Sequence, residues 1–155
     1  MDPRDFGSHA YATGGVGARG VAAGTGDNTE VTSGAIDRQA VGQNALSCLV
    51  VFSGSATLAE NETLQIAFNL QQSSDNGSSD AYADVTAATV SATTVLTGIA
   101  GGAKQNFTYQ AKFDLSALER YLKLQFTPNC SASGSDTFEM SAVVILGGFV
   151  ESPVQ

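Results

Sequence analysis

Charge is scarce in this chain, and so are the side chains on which catalysis and metal binding depend. Only 14% of its 155 residues are Asp, Glu, Lys or Arg, too few for long salt-bridged helices. His9 is the one histidine, so a serine or cysteine nucleophile in the body of the chain has no imidazole base. No GxSxG elbow, HExxH pair or Walker loop occurs. Tryptophan is absent, and with it an aromatic wall that could raise a carboxyl pKa or stack a sugar. Glu60, Glu62, Asp75, Asp80 and Asp84 could furnish a carboxylate pair, but they fall in turns among small polar residues. The expectation is a protein that is not an enzyme and needs no cofactor and no metal.

Cysteine is equally sparse. Cys48 and Cys130 sit in strand-like segments with no CxxC spacing and no neighbouring histidine, which argues against zinc. They could pair across a sheet or remain two buried thiols; the second is the ordinary state in a reducing compartment. No run approaches the roughly 20 apolar residues that span a bilayer, so no membrane partner is expected. The opening MDPRDFGSHAYATGG lacks the apolar core of a signal peptide, and the N-x-S/T matches at Asn61, Asn76, Asn106 and Asn129 then carry no weight.

The net charge is −8, whereas nucleic-acid binding needs clustered Lys and Arg, so none is expected. No basic residue lies between Arg38 and Lys104, while Glu60, Glu62, Asp75, Asp80 and Asp84 do. One side or end of the fold is therefore expected to be strongly acidic.

What the chain does have is alternation. Leu64, Ile66, Phe68 and Leu70 alternate with Gln65, Ala67, Asn69 and Gln71, the period of a strand with one buried face. Phe107, Tyr109, Ala111, Phe113 and Leu115 repeat the pattern, as do Leu122, Leu124 and Phe126, up to Pro128, which is expected to end that strand. Leu46–Phe52 and Ala142–Leu146 are apolar on both faces, which suits central strands covered on both sides. Between Phe52 and Leu64 a Gly/Ser/Ala run predicts a hairpin or a sheet-to-sheet corner. Val85–Thr97 alternates weakly, as one edge strand or two short ones would. The only helix signal is one turn at Ala117–Arg120, capped by Asp114 or Ser116, with Glu119 three residues after Ser116 as a capping box requires.

Gln71–Asp84, QQSSDNGSSDAYAD, reads as a loop whose aspartates could hold a hard cation, though without EF-hand spacing; a solvated acidic loop is the simpler reading. Gly15-Val16-Gly17-Ala18-Arg19-Gly20 matches GxGxxG, but no strand-to-helix context surrounds it. Short strands with Gly/Ser-rich turns predict an all-β, single-domain β-sandwich, jelly-roll-like, over residues 39–155, with a barrel as the alternative. Residues 1–38, rich in Gly and Ala and without a sustained period, are expected to form an extended or flexible N-terminal arm.

Three phrases, SATLAENETLQIAFNLQQSSDNGSSD, FDLSALERYLKLQFTPNCSASGSDTF and AVVILGG, resemble the head decoration, or cement, proteins of tailed bacteriophages. They cover about half the chain and exclude the N-terminal segment. The resemblance implies a non-enzymatic protein on the outer surface of the virion, assembled in the host cytoplasm. It would bridge subunits of the major capsid protein of the same phage, often as a homotrimer. The arm would add lattice contacts through Arg4, Phe6, Tyr11, Arg19 and Arg38, the arginines meeting acidic patches. A carbohydrate-binding sandwich and a phage tail or baseplate component are the alternatives.

Overall fold

The computed structural model describes residues 11–20, 27–40, 43–132 and 135–151, with the backbone alone described at 11–20 and 150–151. The described residues form eleven strands: β1 Tyr11–Gly20, β2 Val31–Thr32, β3 Ile36–Asp37, β4 Gln43–Asn44, β5 Ser47–Thr57, β6 Thr63–Ser73, β7 Ala83–Thr97, β8 Lys104–Asp114, β9 Tyr121–Cys130, β10 Thr137–Gly147 and β11 Val150–Glu151. One sheet has the order β1-β10-β5-β8, and the other β2-β9-β6-β7 with β3 also on β9. Every pairing is antiparallel. After β5 the chain crosses to the second sheet, makes the β6–β7 hairpin, then crosses at each later connection up to β10. This is the order of an eight-stranded jelly-roll sandwich, as the alternation predicts.

The core lies where the two inner faces meet. Leu64, Ile66, Phe68 and Leu70 of β6 are buried, as are Leu122, Leu124 and Phe126 of β9 and Cys48, Val50 and Phe52 of β5. Phe52 reaches across to Phe68 and Phe126, with ring centroids 4.8 and 5.3 Å away in tilted and edge-on geometry. Tyr109 and Phe113, on the edge strand β8, are only half-buried but still meet Phe68 edge-on at 6.1 Å. Ser53–Glu62 contains the end of β5 and then a corner between sheets, not a hairpin within one.

Four local features differ from the sequence reading. Pro128 does not end β9; it sits opposite Ile66, and the strand continues to Cys130. A residue's N and C=O point to the same side of a strand, and the Pro128 carbonyl accepts from Asn28 N–H at 2.7 Å, beyond the end of β2. The missing donor therefore falls where no ladder bond requires it. No helix forms over Ala117–Arg120; Leu118 N–H closes a turn on Leu115 C=O at 3.0 Å, and of the two expected caps it is Asp114 that accepts, from Ser116 N–H. Of residues 1–38, Tyr11–Gly20 runs along β10, and Val31–Thr32 and Ile36–Asp37 run along β9. The acidic residues divide between the two ends: Glu60 and Glu62 precede β6, while Asp75 and Asp80 follow it.

Candidate protein-binding face

β5 and β10 carry their apolar residues on both sides, but only one side is core. Cys48, Val50 and Phe52, with Ala142, Val144 and Leu146, face the second sheet and are buried. Leu49, Val51, Val143 and Ile145 face outward and are half-buried. Register brings these four together, since Val51 lies opposite Val143 and Leu49 opposite Ile145. They shield one another sideways, while no described strand is stacked above them. Among the described residues, the expectation that both faces would be covered is therefore met on one face only.

The surroundings define the edges of this strip. Gln110 and Lys112 of β8 stand beside Val51 and Leu49, and Gly15 and Ala12 of β1 lie in register with Val143 and Ile145. Further along the same sheet the surface turns polar, through Ser53 opposite Ser141 and then Ser55 opposite Glu139. Ser55 Oγ donates to Glu139 Oε1 at 3.0 Å, and Lys104 Nζ donates to the same oxygen at 2.9 Å. The outer face is thus apolar at one half and hydrogen-bonded at the other, the pattern of a contact core with a polar rim.

The residues expected to bind a partner are dispersed. Arg4 and Phe6 lie outside the described residues. Tyr11 and Arg19 are at opposite ends of β1, in register with Leu146 and Glu139. Arg38 is not at the surface but 2% exposed. Its Nε donates to Asn44 Oδ1 at 2.9 Å, and its Nη1 donates to Leu118 C=O at 2.6 Å and also to Leu115 C=O. Burial pulls its pKa down and the Asp114 carboxylate pushes it back up. With these acceptors taken, Arg38 is a tie between β3, β4 and the turn after β8, not a group for an acidic partner.

The aspartate loop is likewise turned inward. Asp75 accepts from Ser78, Ser79 and Asp80 N–H groups at 2.7 to 3.3 Å. Desolvation raises its pKa, but these donors outweigh it and leave the carboxyl below its ordinary value. Asp80 is lowered by the backbone N–H and hydroxyl of Ser74 and by Glu119. Glu119 in turn is raised, by desolvation first and then by Asp80 and Asp75. The loop spends its carboxylates on its own N–H groups, a role that the sequence does not reveal.

Cys48 and Cys130 are buried free thiols. Cys48 is near the start of β5 and Cys130 is paired with Leu64 beyond that strand's other end, roughly 25 Å apart at strand rise. A disulfide needs its Cα atoms within about 7 Å, so these two do not bond within one chain.

No family model and no curated protein matches the chain. The chain is similar to several solved structures. Among them are infectious bursal disease virus, Gx strain (10% identity, TM-score 0.47, covering 90% of this chain and 32% of that one), and the PBSX exported protein XepA (16%, 0.44, covering 94% and 39%). The N-terminal cellulose-binding domain of Cellulomonas fimi β-1,4-glucanase C matches over 93% of this chain and 91% of its own, at 12% identity and TM-score 0.46. The chain spans roughly a third of the length of the first of these.

Proposed function

We propose that this protein is a non-enzymatic virion structural protein that decorates the outer surface of a phage capsid and bridges neighbouring major capsid subunits. The observation that carries the reading is the outward apolar strip of Leu49, Val51, Val143 and Ile145. Two mid-sheet strands keep apolar residues on a face that the described residues leave partly open, which is where another protein surface gains from covering them. The phrases that resemble decoration proteins supply the kind of surface. A homotrimer at three-fold positions is part of the same proposal, and so is residence on the virion exterior after assembly in the host cytoplasm.

The physical role is linkage. A protein that binds the assembled lattice more tightly than free subunits stabilises the lattice, and many weak copies add up. The N-terminal residues, with Arg4 and Phe6, would extend each contact.

The test is co-sedimentation with purified empty shells, read as copies per shell. Val51→Thr/Val143→Thr keeps β-branched side chains in both strands but sets two hydroxyls in a contact meant to be dry. The expected outcome is about tenfold weaker binding with an unchanged melting temperature, and a smaller loss on deleting residues 1–10. Undiminished binding by the double variant would remove the strip from the interface; association with tails and not heads would replace the reading altogether.

A further inference from the structure

The opposite outer face, that of the second sheet, is built differently. Its side chains are amides, hydroxyls and a few carboxylates, joined into one row across four strands. Asp84 Oδ1 on β7 accepts from Asn69 Nδ2 at 2.9 Å and from Gln71 Nε2 at 2.8 Å, both on β6. Asn69 Nδ2 also donates to Gln125 Oε1 on β9 at 3.4 Å. Gln125 Nε2 then donates to Glu30 Oε1 at 3.0 Å and to Thr32 Oγ1 on β2 at 3.4 Å. Three strand spacings of about 4.8 Å make this row roughly 14 Å long.

The direction of these bonds decides what the row can recognise. Both amide protons of Asn69 and of Gln125, and one of the two on Gln71, are spent along the row on neighbours. Asn69 Oδ1, Gln71 Oε1, Asp84 Oδ2 and Glu30 Oε2 accept from none of the described residues. The face therefore presents fixed acceptors and wants a ligand that brings donors. An anion is disfavoured by that polarity and by the carboxylates of Asp84 and Glu30 at the two ends of the row. A polycation would find only the two carboxylates at the ends of the row, and Lys123, in register with Gln71, opposes it.

Shape gives the second, independent observation. The β6–β7 register shifts on both sides of Phe68 and Asn69, between Ile66 and Phe68 and again between Asn69 and Gln71. Bulges bend a strand and re-aim its side chains. Between the shifts lies a shallow groove of about 180 Å³. Asn69, Gln125 and Glu30 line it with Thr89 and Ser91, and its apolar lining comes from Ala67, Val90 and the buried core residues Phe68 and Phe126. Acceptors and hydroxyls around small apolar patches match a chain whose own surface alternates O–H groups with C–H faces.

We infer that this groove binds a neutral oligosaccharide, with Asn69 and Gln125 at its centre. The inference is independent of the capsid reading, since it uses the other sheet. With both aromatic residues of its lining, Phe68 and Phe126, committed to the core, the affinity is modest, on the order of 1 mM for a short chain.

The experiment is titration of the ¹⁵N-labelled protein with cellohexaose, maltohexaose, laminarihexaose and chitohexaose, and with hexalysine, followed by amide chemical shifts. Shifts from at least one hexasaccharide, confined to β6, β7 and β9 and weakened about tenfold in Asn69→Ala and in Gln125→Ala, support the inference. Val51→Thr/Val143→Thr should leave them unchanged. If an alanine variant fails to fold, the wild-type shift map still decides. Shifts from hexalysine alone, shifts away from the groove, or none with any hexasaccharide at 10-fold the expected dissociation constant overturn it.

Discussion

The two ends of the sandwich are closed by opposite chemistry. At the end where β5 begins, a buried cation does the work: the Arg38 guanidinium holds two backbone carbonyls and Asn44, and Arg38 C=O accepts from Ala45 N–H. At the other end backbone clasps backbone, with one carboxylate beside it. Gly98 N–H donates to Glu62 C=O at 2.8 Å, Asn61 N–H donates to Gly98 C=O at 3.0 Å, and the buried Asp136 carboxylate accepts from Ala59 N–H at 2.8 Å. Loop carbonyls that cross a sandwich end must find donors, and a long side chain or a close-packed turn supplies them equally well. The difference is in fragility: one end depends on a long cationic side chain, the other on a carboxylate and on the absence of a side chain at Gly98.

Each end also carries a thiol that reports on it. Burial pushes Cys48, at the Arg38 end, up to about 12, and Cys130, at the clasp, up to about 11. Both should be inert to thiol reagents at pH 8 until their end opens.

The largest effect is expected at Arg38. Replacing it with Leu leaves the carbonyls of Leu115 and Leu118 buried without a donor, at a cost of about 3 kcal/mol or more. That corresponds to a fall in melting temperature of roughly 6–12 °C. Native-state labelling of Cys48 should accelerate while that of Cys130 does not. Equal acceleration of both would mean that the ends open together and the contrast between them is lost. Arg38→Lys should recover only part, because an ammonium cannot reproduce the guanidinium fork.

Gly98→Ala is the converse. A Cβ there would sit 2.0 Å from Ala59 C=O, and neither partner is a flexible side-chain tip. The clasp must shift, at about 1–3 kcal/mol, with faster labelling of Cys130 and not of Cys48. Gly34→Ala, where nothing lies within 4 Å, is the control and should change neither.

These ends were the least legible part of the sequence, and the strands between them the most. Alternation at Leu64–Leu70 and Phe107–Phe113 follows from one buried face per strand, so it survives without knowledge of neighbours. Arg38 could not be read that way, because its acceptors are carbonyls 77 and 80 residues away. β2 and β3, of two residues each, are too short to show a period. The doubly apolar runs correctly placed β5 and β10 mid-sheet, yet apolar residues on a second face reveal only that covering would be favourable, not what covers them. Asn69, Gln71 and Gln125 were recognisable as a wet face; that they join into one row depends on strand order, which alternation does not encode.

Acid separates the ends by the smallest margin. Asp37, held by Arg120, and Asp75 and Asp80, held by loop N–H groups, all have folded pKa values below ordinary. Groups of that sign contribute stability that is complete above the unfolded value near 4 and is lost as pH falls through the folded value. Glu119 runs the other way: its folded pKa is raised, so it destabilises when ionised and ceases to do so on protonation. The melting temperature should therefore rise slightly as pH falls through the raised pKa of Glu119, then decline as it falls through the lowered values of the aspartates, with Cys48 labelled before Cys130. Glu119→Gln should abolish the rise and leave the decline, because it removes the charge facing Asp75 and Asp80 without touching their N–H donors. A rise that persists in that variant would place its origin elsewhere than in this carboxylate group, and a decline reported first by Cys130 would shift the acid-sensitive contacts to the clasp.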